Sequence, residues 1–183
     1  MTWDEYIREN LDALRGISEA EISSFTQHLR ELRQRGKRLW ILGNGGSAST
    51  ASHAAGDFGK TAKRLDERPL NAFALSEMVA LQTAYSNDVS FEEGFASTLR
   101  DFSEEGDAIW IISVSGSSPN LLRAVEQARR NDVTILSVVG RRGYSLSEAS
   151  DVGIVIDSSD YQVVENIQLI LMHWFTKELS AID

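Results

Sequence analysis

Leu39-Trp40-Ile41-Leu42-Gly43-Asn44-Gly45-Gly46-Ser47 is the stretch that decides the fold. Four apolar residues without polar alternation suit a strand buried on both faces of a parallel sheet. They run straight into a glycine-rich turn, and a helical pattern follows. The same grammar returns where Ala108-Ile109-Trp110-Ile111-Ile112 leads into Ser113-Val114-Ser115-Gly116-Ser117-Ser118. Apolar runs at 71–75, 133–139 and 152–156 bring the strands to about five, separated by helical pattern or loop. Such alternation predicts a three-layer α/β domain, a parallel sheet flanked by helices.

Outside this frame, apolar residues recur at three- and four-residue spacing from Trp3 to Leu14 and from Ala20 to Arg35, which predicts a helical hairpin before the first strand. Its apolar face suits either the surface of one chain or an oligomer interface. A last helix is expected from about Gln162 to Leu179, rich in Val, Ile and Leu. Pro69 and Pro119 are the two prolines, so no proline-rich linker divides the chain. With 183 residues and 42% hydrophobic content, one domain over 1–183 is expected.

Charge and composition exclude several classes. A formal net charge of -9 opposes binding to nucleic acid, whose phosphates are held by lysine and arginine. The absence of cysteine removes disulfides, thiolate zinc sites and cysteine nucleophiles. Met1-Thr2-Trp3-Asp4-Glu5 lacks the basic and apolar regions of a secretory signal, and no stretch is apolar enough to span a bilayer. A soluble cytoplasmic protein is the expectation.

The two turns are candidate anion sites. In an open α/β sheet, turns at strand ends form the binding crevice, and free N–H groups at the next helix start attract phosphate. Ser118 stands at an N-cap position with Pro119 as the first helical residue. Ser113, Ser115, Ser117 and Ser118 exceed what capping requires, and their hydroxyls suit a phosphate. Gly43, Gly45 and Gly46 do not fit G-x-G-x-x-G, and no phosphate-loop lysine follows, so a nucleotide site is rejected.

Of three histidines, His28 belongs to the polar N-terminal helical region. His53 precedes Asp57 by four residues, which places both on one helix face and suits proton transfer, metal binding or an ordinary surface pair. Glu165 and His173 lie in an apolar stretch, where polar groups need partners. Eight residues span about 12 Å of helix, so both reach one metal only if their side chains lean together. Gln168 lies between them.

Taken together, Gly-Asn-Gly-Gly-Ser followed by His53 and Asp57, Ser86-Asn87-Asp88, Ser-Val-Ser-Gly-Ser-Ser-Pro-Asn, and Val164-Glu165 leading to His173 resemble the sugar isomerase domain. Within it, the likeness is to the phosphoheptose isomerases, which act on sedoheptulose 7-phosphate, and it covers nearly the whole chain. The resemblance implies a five-stranded parallel sheet, a homotetramer, and active sites where subunits meet. It implies phosphate binding by Ser113, Ser115 and Ser118, and a sugar pocket lined by Asn44, Gly45, Gly46, Ser47 and Asp88. By the same likeness His53, Asp57, Glu165 and His173 surround the reacting carbons and hold zinc, with Asp57, Glu165 and His173 as the catalytic set.

Some positions depart from the pattern. The best-known phosphoheptose isomerases carry glutamate where this chain has Asp57 and glutamine where it has Glu165; a subgroup carries aspartate and glutamate, often with histidine in place of Gln168. Val114 replaces a threonine that contacts substrate. The expected reaction is aldose–ketose isomerisation through an enediol, which needs a base beside C1 and C2 and groups that stabilise the oxyanion. A non-catalytic scaffold, like the relative that binds a bacterial replication initiator, is the alternative; that relative lacks the histidine that His173 supplies here. A phosphosugar sensor would need a signalling partner, and no DNA-binding segment is present in the sequence.

Overall fold

A computed structural model describes residues 1–60 and 68–180. Helix α1 (Trp3–Arg15) starts at a capping box in which the Thr2 hydroxyl accepts from the Glu5 N–H and the Glu5 carboxylate accepts from the Thr2 N–H. Helix α2 (Glu19–Arg35) follows after an N-cap by Ser18, so the two expected N-terminal helices are present, and each packs against the last helix of the chain. The strands are β1 (Arg38–Leu42), β2 (Asn71–Ala74), β3 (Ala108–Ser113), β4 (Thr134–Gly140) and β5 (Val152–Ile156). All five pair in parallel in the order β2-β1-β3-β4-β5, with Leu42 beside Ile111.

Between the strands run α3 (Gly46–Lys60), α4 (Val79–Asp88), α5 (Gly94–Phe102), α6 (Pro119–Arg130) and α7 (Tyr144–Glu148), and α8 (Tyr161–Ser180) closes the chain. Alternate strand residues face opposite helix layers, as a pleated sheet requires. Leu39, Ile41, Trp110, Ile112, Leu136 and Val138 pack beneath α2, α3 and α8. Trp40, Leu42, Ile109, Ile111 and Ile135 pack with α5 and α6 on the other face. Trp110 anchors the first layer: its ring lies 5.4 Å from Phe25, 5.9 Å from Phe58 and 5.9 Å from Phe175.

The strand order places the site. From β1 the chain moves outward to β2, then returns past β1 to β3 and continues the other way to β5. The crevice of such a sheet opens where the order reverses, between the C-terminal ends of β1 and β3. Those ends carry the glycine turn and the serine turn. Among the described residues, no helix is long and apolar enough to cross a membrane.

Candidate active site

The serine turn is built for close packing. Gly116 adopts φ 63°, and a Cβ there would lie 2.5 Å from the Gly143 Cα, so the left-handed conformation and the neighbouring backbone both demand glycine. The Gly116 N–H donates to the Ser113 hydroxyl at 3.0 Å, and the Ser117 N–H donates to the Ser115 hydroxyl at 3.3 Å. Ser118 is the N-cap of α6, but its hydroxyl makes no capping bond, and Pro119 supplies the first helical residue. The start of α6 therefore presents a hydroxyl and open backbone donors to an anion.

Asn44 of the glycine turn and Asn120 of α6 join the two strand ends through their amides. Asn44 Nδ2 donates to Asn120 Oδ1 at 3.0 Å, and Asn120 Nδ2 donates to Asn44 Oδ1 at 2.9 Å. Both line a cavity of about 280 Å³, together with Gly45, Ser76, Gln82 and Ser86. Sequence reasoning did not mark Asn120, Ser76, Gln82 or Ser86 as site residues. For Asn120 the only local signal is its place just after the serine turn, because its partner lies 76 positions away.

On the other side of the glycine turn, α3 and α8 lie together and bring three predicted residues to one place. His53 Nε2 stands 3.7 Å from Asp57 Oδ2, and the rings of His53 and His173 are 5.0 Å apart at 81°. One donor atom from each of His53, Asp57 and His173 falls within 4.8 Å of the others. Two imidazoles and a carboxylate form a donor set that fits zinc and leaves a fourth position for a substrate oxygen. Tetrahedral ligands sit roughly 3.4 Å apart, the edge set by bonds of about 2.0–2.1 Å, so modest side-chain rotations close the set.

Glu165 is not a member of that three-residue group. It stands two turns earlier on α8, and its carboxylate lies against the backbone of Gly46: a Cβ at Gly46 would come within 2.6 Å of the Glu165 Cδ. The carboxylate thus rests at the first turn of α3, where the helix dipole and free N–H groups favour negative charge. Of the four residues expected to share one metal, the structure gathers three and places the fourth at the glycine turn. The reason is the helical rise between positions 165 and 173.

Three more of the candidate residues stand as follows. His173 lies in an apolar stretch of sequence but on the exposed side of α8 beside Trp174, while the helix buries Val164, Gln168, Leu171 and Phe175. Ser47, expected at the sugar pocket, is 3% exposed, and its hydroxyl donates to Gln168 Oε1 at 3.3 Å. Gln168, itself fully buried, donates onward to the Val138 carbonyl, so this pair links α3, α8 and β4. Asp88 is exposed at the end of α4, where it accepts from Asn87 Nδ2 at 2.8 Å, and it is not among the residues lining the cavity.

Residues 2–140 match the family model of the SIS domain, which makes the chain a SIS-domain protein. A phosphoheptose isomerase of Trichlorobacter lovleyi is 34% identical over 154 residues, covering 84% of this chain and 78% of that protein. Similar matches are a phosphoheptose isomerase of Thermodesulfovibrio yellowstonii, 32% identical over 93% of this chain and 80% of the relative, and one of Helicobacter pylori, 34% identical over 88% and 83%. The chain belongs to the phosphoheptose isomerase family. Its fold is that of the solved phosphoheptose isomerases of Neisseria gonorrhoeae (TM-score 0.85, 23% identity, 97% of this chain and 94% of that one) and Francisella tularensis (TM-score 0.87, 22% identity, with the same coverage).

Proposed function

We propose that the chain isomerises sedoheptulose 7-phosphate to glycero-manno-heptose 7-phosphate. Beyond membership of the family, one observation supports this reading most: the contact of Glu165 with Gly46, which joins a carboxylate of α8 to the glycine turn at the sheet crevice. A sugar gripped at the turns thereby meets a base held on a rigid helix.

In this reading Ser113, Ser115, Ser118 and the amides at the start of α6 hold the phosphate, and Asn44, Gly45 and Gly46 line the path of the carbon chain. Glu165 takes the proton from the carbon beside the carbonyl and returns it to the neighbouring carbon, while His173 carries the proton between the two oxygens. Asp57 orients His53. His53, Asp57 and His173 are the residues that would hold zinc, whose contribution would be to polarise the sugar oxygens as charge develops. Remote binding of the phosphate contributes orientation at the reacting carbons.

The same reading takes the chain as one SIS domain in a cytoplasmic homotetramer whose sites lie at subunit interfaces. Trp3, Ile7 and Leu11 on α1, with Ile170 and Trp174 on α8, form exposed apolar faces. A depression of about 1120 Å³ between the hairpin and α8 is lined by Ile17, Ile22, Ile170 and Trp174 and contains none of the catalytic candidates. Such faces are suited to burial between subunits.

The direct test follows the ketose by NMR in purified wild-type and His173→Ala protein. Conversion by the wild type with loss in the variant is expected; an undiminished rate in His173→Ala removes the assigned role of that imidazole.

A further inference from the structure

We propose that Asn120 is a positioning residue that fixes the orientation of Asn44 and the separation of the two turns, acting through that amide. The inference rests on the isomerase reading for its substrate. A side-chain amide offers two N–H donors and two lone pairs. The reciprocal bonds between Asn44 and Asn120 engage one of each on both residues, at 3.0 and 2.9 Å. Asn120 is 2% exposed, whereas Asn44 is half-buried at the cavity wall. The buried amide therefore holds its partner's plane fixed, and the remaining N–H and lone pair of Asn44 keep one direction. Without the second amide, Asn44 rotates about its terminal torsion, which has only a broad preference.

The location makes the pair more than a local bond. Asn44 follows β1 by two residues, and Asn120 is the second residue of α6, two after Ser118. The pair spans the reversal point of the sheet and couples the turn that meets Glu165 to the turn with the serine hydroxyls. A shift of Asn120 moves both the Asn44 amide and the phosphate donors relative to each other.

The test measures kcat and KM for sedoheptulose 7-phosphate in wild type, Asn44→Ala, Asn120→Ala, Asn120→Asp and the double alanine variant. Asn120→Asp keeps the shape but cannot donate to Asn44 Oδ1, so it remains informative if the alanine variant fails to fold. Loss of one ordered hydrogen bond predicts a KM raised about tenfold with kcat within about twofold. Because Asn120 works through Asn44, the double variant should have the KM of Asn44→Ala alone. A wild-type KM in Asn120→Asp, or losses that multiply in the double variant, overturns the proposal even if melting temperatures fall, since a merely structural bond moves stability and not this coupling. If wild-type protein leaves the sugar unconverted, the isomerase reading fails separately. The pair is then read from thermal-shift titration with inorganic phosphate, where Asn120→Asp should need about tenfold more phosphate. An unchanged titration, or no response from the wild type, overturns the proposal.

Discussion

A methyl group on Gly46 would strike the carboxylate of Glu165, yet it would do so at the end of a flexible side chain and at a helical position where alanine is well tolerated. Gly46→Ala should therefore keep or slightly raise the melting temperature while displacing the base, and a displacement near 1 Å lowers kcat about 100-fold. Equal loss of stability and activity would show that Gly46 serves only the fold. Glu165→Gln should cost about 10²–10⁴ in kcat with little change in KM. Adding Asp57→Glu restores the carboxylate and amide arrangement of the best-known family members, so the double variant should recover part of that loss; steady-state kinetics decide it. Residues of this kind were only partly legible in the sequence. The glycines, serines, His53 and Asp57 declare themselves by spacing, whereas Asn120 depends on a partner 76 positions away and Ser47 turns its hydroxyl inward to Gln168.

At the scale of elements, α8 carries the largest share of both core and site. Phe175 stacks on Phe25 at 4.6 Å and meets Trp110 edge-on, so Phe175→Ala should cost about 3–5 kcal/mol in denaturant unfolding. His53 on α3 completes the donor set with α8, and His53→Ala should reduce zinc per chain, measured by elemental analysis of protein purified without chelators. Helix α4 is held differently: it has no buried residue, and its links to α5 are polar, Gln82 to Thr98 at 2.7 Å and the Tyr85 hydroxyl to Asp101 at 2.6 Å. Bonds from Arg100 and then Tyr85 hold the Asp101 carboxyl below its usual range, while the bond to Asp101 holds the Tyr85 hydroxyl above its own. The Asp101 contribution is thus present at neutral pH and lost as acid protonates that carboxylate; the Tyr85 contribution is present at neutral pH and lost as alkali deprotonates the phenol. Hydrogen exchange in α4 should accelerate at both extremes and in Tyr85→Phe at neutral pH, with only a small effect on global stability because the latch is solvent-exposed. The sequence shows β1 and β3 plainly, because strands covered on both faces are unbroken apolar runs. It leaves α4 unmarked, since a helix without a buried face carries no apolar period, and Ile170 and Trp174 add apolar residues to the exposed side of α8.

For the whole molecule, the apolar faces of α1 and α8 and the acidic charge of -9 fit the proposed assembly: uncharged patches suit burial between subunits, and a charged remaining surface opposes further association. If the proposed tetramer places its sites at subunit interfaces, Trp174→Glu should shift the mass seen by light scattering towards the monomer and lower activity with it; full activity in a monomer would separate catalysis from assembly. The claim on which the rest depends is that a carboxylate on α8, resting against the glycine turn, moves a proton between adjacent carbons of a phosphorylated heptose. Its most direct measurement is an NMR time course of sedoheptulose 7-phosphate with wild-type protein in heavy water. Ketose signal should fall while the aldose appears, with deuterium at C2 in the fraction of turnovers in which the Glu165 carboxyl exchanges with solvent before delivering its proton, and Glu165→Gln should slow both; an unchanged spectrum with wild type, or an undiminished rate in Glu165→Gln, contradicts the account.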